Sequence, residues 1–513
     1  MKRLNLLLAS TGLLIGGAVS RHAQGAPARV NVSIDPKAHL ASLSPIAIGA
    51  NAAAWDSNIV DRELPGLLAK AHVRMARYPG GSTADNYHWL TNTPEDPNAG
   101  GTDPAANFDA YLSLLRKAHA QGMVTLNYGS GTIQEAADWL TYANGGGPKY
   151  QGPVPTYAGA SPTGHRAGIR YWEMGNELYG DGTYGAKWEL NHNPLGPAAY
   201  ANAVVAYSAA LKAVDPSVRV GVVLTAPGNW PDGQVSDLSP APWNDTVLGI
   251  AAAAIDFVDV HWYPQGPGGE SDPALLAAPQ NGESTPVSFT PAIASMVSTL
   301  KEEIARYRGA TAGDVEILLT ETNSVSYNPG KQTTSLVNAL FLADSLATWL
   351  ENGVANVDWW TIHNSPFAGN ADASLNGSLD YGDYGLLSRG LATSTTDVEP
   401  PAETPFPAYY GLEVLGRFTE HGQTFLAAKS SATLVSVHAI QTDRHGVNVL
   451  VINKDPSTSY DVSVSVKDAR LFGVASISSY GPQNTEVQDS FKRVFGSPTV
   501  TVPPYSVTTL QLP

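Results

Sequence analysis

Two glutamates lie where a pair of carboxylates could do chemistry. Glu177 directly follows the apolar stretch 169–176, and Glu321 ends the apolar stretch 316–321. Two carboxyl groups about 5–5.5 Å apart can cleave a glycosidic bond with retention of configuration, one protonating the leaving oxygen and the other attacking the anomeric carbon. Unequal burial and hydrogen bonding can give the two groups the opposite protonation states that this requires. The alternative is a purely structural role, in which each glutamate ends a strand in solvent or in a salt bridge.

The sequence contains eight short apolar strands that alternate with helical patterns, and two of these strands would carry the glutamates. The predicted strands are 46–53, 73–79, 124–128, 169–176, 218–225, 257–263, 316–321 and 357–363. Apolar residues at three- and four-residue spacing predict helices at 108–121, 132–143, 198–214, 291–308 and 333–352. This alternation favours a closed (β/α)8 TIM barrel over an open doubly wound sheet. Glu177 and Glu321 would then lie at the C-terminal ends of strands four and seven, where such barrels form active sites.

Beyond the barrel the hydrophobic period changes. Residues 365–407 are rich in Gly, Ser, Thr, Asp and Pro and predict a long loop, and a last helix is expected at 408–419. Alternation of apolar and polar residues then predicts a C-terminal β-sandwich with strands at 434–440, 447–452, 460–466 and 506–512, to which the early segment 29–34 adds a strand. The expected organisation is a signal peptide (1–26), a strand joining the sandwich (27–40), the catalytic barrel (41–420) and the β-sandwich (421–513).

Charge and composition restrict the partners. The formal net charge is −16 and the pI about 5.1, with no basic cluster, so we expect no nucleic acid partner. The chain contains no Cys, which excludes disulfides, thiolate nucleophiles and Cys-bound metals. The oligomeric state stays open.

The N-terminus predicts export. Lys2 and Arg3 precede the apolar stretch 4–19, and small residues follow near position 26. This pattern is typical of a signal peptide, and it predicts a secreted or periplasmic protein without a membrane anchor. A retained anchor is the alternative.

Patterns for other chemistries are weak. There is no His-x-His and no His-Glu-x-x-His, the Gly-Ser-Gly at 129–131 lacks the spacing of a serine-hydrolase elbow, and no Gly-x-Gly-x-x-Gly follows the first strand. We therefore expect no metal and no cofactor.

Two motifs resemble those of a known clan. Residues 171–177 (Tyr-Trp-Glu-Met-Gly-Asn-Glu) resemble the Gly-Asn-Glu acid/base motif of the clan A retaining (β/α)8 glycoside hydrolases, and residues 319–323 (Leu-Thr-Glu-Thr-Asn) resemble that clan's nucleophile strand. The resemblance implies that Glu177 is the general acid/base and Glu321 the nucleophile. Asn176 is expected to donate to the sugar 2-hydroxyl, a bond that strengthens in the transition state.

Three further segments extend the resemblance. Residues 77–81 (Arg-Tyr-Pro-Gly-Gly) and the loop and helix at 127–139 are similar to family 51 α-L-arabinofuranosidases of this clan. This implies that Arg77 is one of the substrate-binding residues and lies beside Glu321, which it keeps ionised, whereas the structural alternative is a salt bridge from Arg77 to Glu173. Residues 259–264 (Asp-Val-His-Trp-Tyr-Pro) resemble the clan's His-x-Tyr, which implies that Tyr263 bonds the nucleophile and that His261 lines the sugar pocket.

The first strand departs from family 51. That family typically carries a Glu there that binds arabinose, whereas residues 49–56 offer Asn51 and Trp55, and Asn51 is the candidate replacement. Residues 87–89 and 261–264 are instead similar to retaining endoglucanases and xyloglucanases of the clan. Sugar-stacking faces are expected from the tryptophans at or just past strand ends, Trp55, Trp89, Trp262 and Trp360.

Three hypotheses follow. The chain is a secreted retaining glycoside hydrolase acting on plant or microbial polysaccharide, most simply α-L-arabinofuranosidase-like. The alternative is an endo-β-glucanase or xylanase type, or another β-glycosidase of the same clan. A non-catalytic polysaccharide-binding protein is the remote third, since it would have no need of both glutamates.

Overall fold

The computed structural model describes residues 27–97, 101–145, 168–180, 196–228, 242–285, 288–368, 379–392, 398–444 and 446–513. The expected signal peptide lies outside the described residues. Within them, no helix is both long and apolar enough to cross a bilayer.

The described strands are named in chain order. They are β1 Ala28–Ser42, β2 Ile48–Asn51, β3 Met75–Tyr78, β4 Tyr87–His88, β5 Thr93–Pro94, β6 Gln121–Leu126, β7 Tyr171–Met174, β8 Arg219–Val223, β9 Phe257–Trp262, β10 Glu283–Thr285, β11 Ser288–Thr290, β12 Glu316–Thr322, β13 Asn356–Trp359, β14 Gly422–Ser430, β15 Val435–Thr442, β16 Val447–Asn453, β17 Tyr460–Val466, β18 Leu471–Tyr480, β19 Gln488–Gly496, β20 Thr499–Val502 and β21 Ser506–Leu512.

The described α-helices are named in the same way. They are α1 Leu64–Lys70, α2 Phe108–Ala118, α3 Ile133–Asn144, α4 Pro197–Val214, α5 Trp243–Ala251, α6 Asp272–Asn281, α7 Ile293–Arg308, α8 Leu336–Glu351 and α9 Pro407–Thr419.

Eight parallel strands close into a barrel. Their order is β2-β3-β6-β7-β8-β9-β12-β13, and β13 returns to pair with β2. Each is one of the eight strands predicted from the sequence, with ends that differ by a few residues. The predicted (β/α)8 barrel is therefore confirmed, and the open doubly wound sheet is excluded.

Local sequence explains where the helices begin and end. Asn107 caps α2 by accepting a hydrogen bond from Ala110 N at 3.0 Å. Thr132 caps α3 by accepting from Glu135 N at 3.1 Å, which is the Thr-x-x-Glu pattern of a capping box. Gly145 ends α3 in the left-handed region, with φ +59°.

A nine-stranded sheet forms the second layer of the molecule. Its order is β19-β18-β21-β16-β15-β14-β1-β17-β20, and all neighbours are antiparallel except β1 and β17. One buried cluster contains apolar side chains from all nine strands, so the sheet folds over on itself as a β-sandwich. Strand β1, from the start of the chain, lies between β14 and β17.

The sandwich meets the barrel through a buried polar cluster. His438 of β15 bonds two carboxylates of α8, with Nε2 2.9 Å from Asp344 Oδ1 and Nδ1 2.8 Å from Glu351 Oε2. Lys454, next to β16, pairs with Asp344 and donates to the carbonyl of Leu276 in α6 at 2.6 Å. These groups fix the sandwich against the outer helices of the barrel.

Candidate active site

The two predicted catalytic glutamates meet at the C-terminal mouth of the barrel. Glu321 is the penultimate residue of β12, and Glu177 lies three residues past the end of β7. One oxygen of each glutamate and a ring nitrogen of His261 lie within 4.8 Å of one another. This separation suits the short carboxylate spacing of retaining glycosidases rather than the wider spacing of inverting ones.

A tight turn delivers Glu177 to this position. Gly175 has φ +75° and Glu177 has φ +49°, both in the left-handed region. A Cβ on Gly175 would lie 2.6 Å from Leu178 Cδ1 and 2.9 Å from Asp85 Oδ1, so the turn requires glycine there. The glycine of the Gly-Asn-Glu motif is thus a geometric requirement for the position of Glu177.

His261 lies between the two carboxylates. Its Nδ1 is 2.8 Å from Glu177 Oε1 and 3.4 Å from Glu321 Oε2, and the side chain is almost completely buried. Burial alone would lower the pKa of His261, but the negative charge of Glu321 and the hydrogen bond to Glu177 outweigh it and raise that pKa. The imidazole therefore links the protonation of both glutamates.

Glu321 is held by donors on both oxygens. Arg77 Nη1 donates to Oε1 at 2.7 Å, and the Tyr263 hydroxyl donates to Oε2 at 2.9 Å, as the resemblance implied for both residues. Burial raises the pKa of Glu321, and it outweighs the lowering by the charges of His261 and Arg77. The donors fix the carboxylate and stabilise its anion against this burial.

Arg77 satisfies both interpretations of its role at once. Besides Glu321, it donates from Nε to Glu173 Oε2 at 2.6 Å, and from Nη2 to the side-chain oxygen of Asn176 at 2.8 Å. Its side chain is 0% exposed. A sugar cannot reach the guanidinium in this structure. Arg77 therefore holds Glu321 and Asn176 in place, and the prediction that it binds the substrate is wrong.

Asn51 is also beneath the site rather than in it. It is 0% exposed, its oxygen accepts from Arg77 Nη1 at 3.0 Å, and its amide donates to the carbonyls of Thr320 at 2.9 Å and Trp359 at 3.3 Å. All of its polar groups are engaged within the protein. The prediction that Asn51 contacts the sugar is therefore wrong, and Asn51 instead ties Arg77 to strands β12 and β13.

Asn176 keeps one group for a ligand. Its oxygen is taken by Arg77, and its amide nitrogen has only a long contact of 3.4 Å with Ser82 Oγ among the described residues. The backbone nitrogen of Asn176 donates to Asp85 Oδ2 at 3.0 Å. The orientation thus fits the expected donation to a sugar hydroxyl, which stays a prediction.

Two supporting residues were not found from the sequence. Asp85 is completely buried in the turn after β3, and it accepts from the backbone nitrogens of Asn176 and Tyr128, so it holds the loop that carries Glu177. Burial raises the pKa of Asp85 well above its ordinary value. The Tyr179 hydroxyl donates to Glu177 Oε1 at 3.2 Å, and its position two residues after Glu177 was the available signal.

Trp55 and Trp360 form an aromatic wall at the mouth. Their ring centroids are 6.1 Å apart at 54°, and both are partly exposed. A Cβ on Gly80 would lie 2.9 Å from the Trp55 ring, and one on Gly81 would lie 2.8 Å from the Trp360 ring. The Gly-Gly after β3 therefore makes room for both indoles, and their faces remain candidates for sugar stacking.

The other two tryptophans are core residues. Trp89 is 1% exposed and stacks on Trp139 at 6.0 Å, and Trp262 is 0% exposed and donates to Thr290 Oγ1 at 2.7 Å. Neither offers a face to a ligand, so the expectation that they stack on sugar is wrong.

Within the described residues, two groups of carboxylates with His261 are compact enough to hold a cation. They are Glu177, His261 and Glu321, and Glu173, Asp259 and His261. Both groups adjoin Arg77, whose fixed positive charge opposes a second cation.

Known proteins share this fold and part of this sequence. No family model matches the chain. It is 25% identical to alpha-L-arabinofuranosidase C of Emericella nidulans over 218 residues, which is 40% of this chain and 41% of that protein. The chain thus aligns with about two fifths of the length of the curated relatives it matches.

Solved structures match over nearly the whole chain. An alpha-L-arabinofuranosidase from Thermotoga maritima has a TM-score of 0.69 at 18% identity, covering 94% of this chain and 99% of that one. A family 44 xyloglucanase from Paenibacillus polymyxa has a TM-score of 0.65 at 14% identity, covering 94% and 99%. In fold, and in part of its sequence, this chain resembles the clan A glycoside hydrolases, among them the family 51 α-L-arabinofuranosidases.

Proposed function

We propose that this protein is a retaining glycoside hydrolase. The observation that carries the proposal is the close approach of Glu177 and Glu321, with oxygens within 4.8 Å of each other and of His261. Glu321 has donors on both oxygens, as an anionic nucleophile needs, whereas Glu177 is partly exposed toward the mouth. This asymmetry supports Glu321 as the nucleophile and Glu177 as the general acid/base.

The reaction proceeds by double displacement. Glu321 attacks the anomeric carbon while Glu177 gives its proton to the leaving glycosidic oxygen, which yields a glycosyl ester on Glu321. Glu177, now a carboxylate, then takes a proton from water as that water attacks the same carbon. The carbon–oxygen bond to Glu321 breaks, and both glutamates return to their initial state.

We propose an α-L-arabinofuranoside as the substrate. The partial sequence relatives support this, since alpha-L-arabinofuranosidase is in their names. The family 51-like segment 77–81 also supports it. In this segment Arg77 bonds Glu321, and Gly80 and Gly81 pack against the aromatic wall.

A β-glucan or xyloglucan substrate is the second candidate. The similar fold of a family 44 xyloglucanase favours it, as does the buried position of Asn51, which leaves the strand-one sugar acceptor of family 51 without a replacement there. An endo-acting enzyme would cleave inside the polymer chain, whereas the first candidate removes terminal sugars.

Product analysis tests the mechanism and the substrate together. Aryl α-L-arabinofuranoside, β-glucoside and β-xyloside are supplied in parallel with xyloglucan and arabinan. Proton NMR of the first-formed sugar should show the substrate's own anomeric configuration. Inversion would refute the double displacement, and turnover confined to glucan or xyloglucan would select the second substrate.

We also propose that the protein is exported. The supporting observation is the basic start and apolar stretch 4–19. Expression in a bacterial host should give mature protein outside the cytoplasm, with an N-terminus near residue 27. Protein retained in the cytoplasm with Met1 intact would contradict this proposal.

A further inference from the structure

Strand β19 is a long sheet edge. It has nine residues and lies at one end of the strand order, so in the part of the chain that the structure describes only its β18 side is paired. An unpaired edge presents a row of free backbone donors and acceptors, which readily pairs with another strand. Natural sheets usually protect such an edge.

The outward face of this edge is apolar instead. It carries Phe472 and Val474 from β18 and Phe491 and Phe495 from β19, which are 61%, 57%, 77% and 77% exposed. Phe472 lies opposite Phe495, with ring centroids 6.4 Å apart. Exposed clusters of large apolar side chains mark interaction surfaces. We name these four residues the edge patch.

We propose that the edge patch binds a second copy of this chain, through antiparallel pairing of β19 with the partner's β19 about a two-fold axis at Phe491. A two-fold interface uses the same surface on both copies, so the strand must be complementary to itself. This proposal does not depend on the proposed function.

Charge selects the register. The residues of β19 that share the outward face are Asp489, Phe491, Arg493 and Phe495, since Val494 faces the sandwich core. Asp489 accepts from Ser478 at 2.6 Å and lies 4.0 Å from Arg417, and its side chain remains 49% exposed. With the axis at Phe491 it lies opposite the partner's Arg493, and the reverse pair forms on the other side. Phe491 then contacts the partner's Phe491.

Neighbouring registers lack this match. An axis at Lys492 would place that lysine opposite the partner's Lys492, and an axis at Arg493 would oppose two arginines. An axis at Ser490 forms no ion pair. Like charges directly opposite each other destabilise a strand pair, and opposite charges stabilise it. The register centred on Phe491 is thus the one that the sequence of β19 favours.

A cysteine on the axis tests the geometry directly. The chain has no Cys, so any new disulfide must join the introduced residues. In Phe491→Cys the two Cβ atoms would be about 4.5–5.5 Å apart, close enough for a disulfide after a small shift. Mild oxidation with diamide should therefore give a covalent dimer on a non-reducing gel.

Phe495→Cys is the matched control. It is on the same strand and face, with the same 77% exposure. In the proposed register it lies opposite the partner's Val487, about 27 Å from the partner's Cys at position 495. It should give no covalent dimer under the same oxidation. Equal cross-linking of both variants, or none in Phe491→Cys, would overturn the proposal.

Charge exchange tests the register in solution. Arg493→Asp and Asp489→Arg should each sediment as monomers at concentrations where the wild type dimerises, because each places like charges opposite each other twice. An equimolar mixture should dimerise again, since opposite charges then face each other. Circular dichroism confirms that each variant is folded. A monomeric wild type, or a mixture that stays monomeric, would overturn the proposal, as would an edge patch that instead holds insoluble polysaccharide.

Discussion

The guanidinium of Arg77 donates to Oε1 of Glu321 at 2.7 Å from a position with no solvent exposure. The same group also donates to Glu173 at 2.6 Å and to Asn176 at 2.8 Å. One buried cation thus fixes Glu321, the proposed nucleophile, and Asn176, which precedes the proposed general acid Glu177. This geometry needs a planar, multiply donating group.

Arg77→Lys should therefore lower kcat strongly while the charge is retained. An ammonium cannot span Glu173, Glu321 and Asn176 at once, and losing one charge-assisted hydrogen bond costs about 1.5–3 kcal/mol, or roughly 10- to 100-fold in rate. Steady-state kinetics on an aryl glycoside measures the change, with circular dichroism as the folding control. A folded variant with unchanged kcat would contradict the positioning role.

Glu321→Gln should abolish turnover with the fold intact. An amide cannot form the glycosyl ester, so we expect a loss of at least about 10³-fold on every substrate. The control is Glu316→Gln, at the opposite end of the same strand, which should keep its activity. A folded Glu321→Gln variant that retained a substantial fraction of the wild-type rate would show that the nucleophile is another residue.

Glu177→Ala should affect substrates unequally. A general acid contributes about 10²–10⁴-fold, mostly for poor leaving groups, so a dinitrophenyl glycoside should suffer far less than a natural linkage. Added azide should speed turnover by replacing the base-activated water, and it should yield a glycosyl azide. Equal losses on both substrates without an azide effect would remove the acid/base assignment.

The pH profile should report the contact between His261 and Glu321. Burial raises the pKa of Glu321, and the nearby His261 cation lowers it. The nucleophile must be ionised, so in His261→Asn the pKa of Glu321 rises and the acidic limb of kcat/KM moves to higher pH. Rates between pH 4 and pH 8 measure the shift. An unmoved acidic limb would show that His261 does not influence the nucleophile.

The sequence identified the barrel because each of its strands is a short apolar run between helical patterns. It did not predict α1, α5 or α6: α1 has seven residues with Pro65 and Gly66 in its first turn, and α6 is interrupted by Pro279. Such short or interrupted helices are stabilised by packing against the barrel and carry little periodic signal of their own.

The site residues, too, could be predicted only where an apolar strand pattern marked their position. Glu177, Glu321 and Tyr263 could be found because each follows or ends an apolar strand. The depth of a side chain below the barrel mouth could not be predicted from the sequence. Asn51 occupies the same kind of strand end as these residues, yet it lies beneath Arg77. Asp85 was missed because it lies in a turn, where no period distinguishes a structural carboxylate from a solvated one.

His438 joins the sandwich to α8 of the barrel through hydrogen bonds to Asp344 and Glu351. Burial alone would lower the pKa of His438, but the charges of Glu351 and Asp344 outweigh it and raise that pKa to about 10. The unfolded value is the ordinary 6.5. The protonated imidazole therefore contributes stability fully below pH 6.5, and this contribution is lost as the pH rises through about 10.

Urea unfolding of wild type and His438→Asn at a series of pH values measures this contribution. The wild-type advantage in the free energy of unfolding should be largest near pH 6 and should decrease toward pH 10, where His438 loses its proton in the folded state as well. His421→Asn is the control, because this residue is 40% exposed and also adjoins the sheet. Its effect on the free energy of unfolding should be small. An advantage of His438 that stayed constant or grew between pH 6 and pH 10 would show that the imidazole is not held as a cation between α8 and the sandwich.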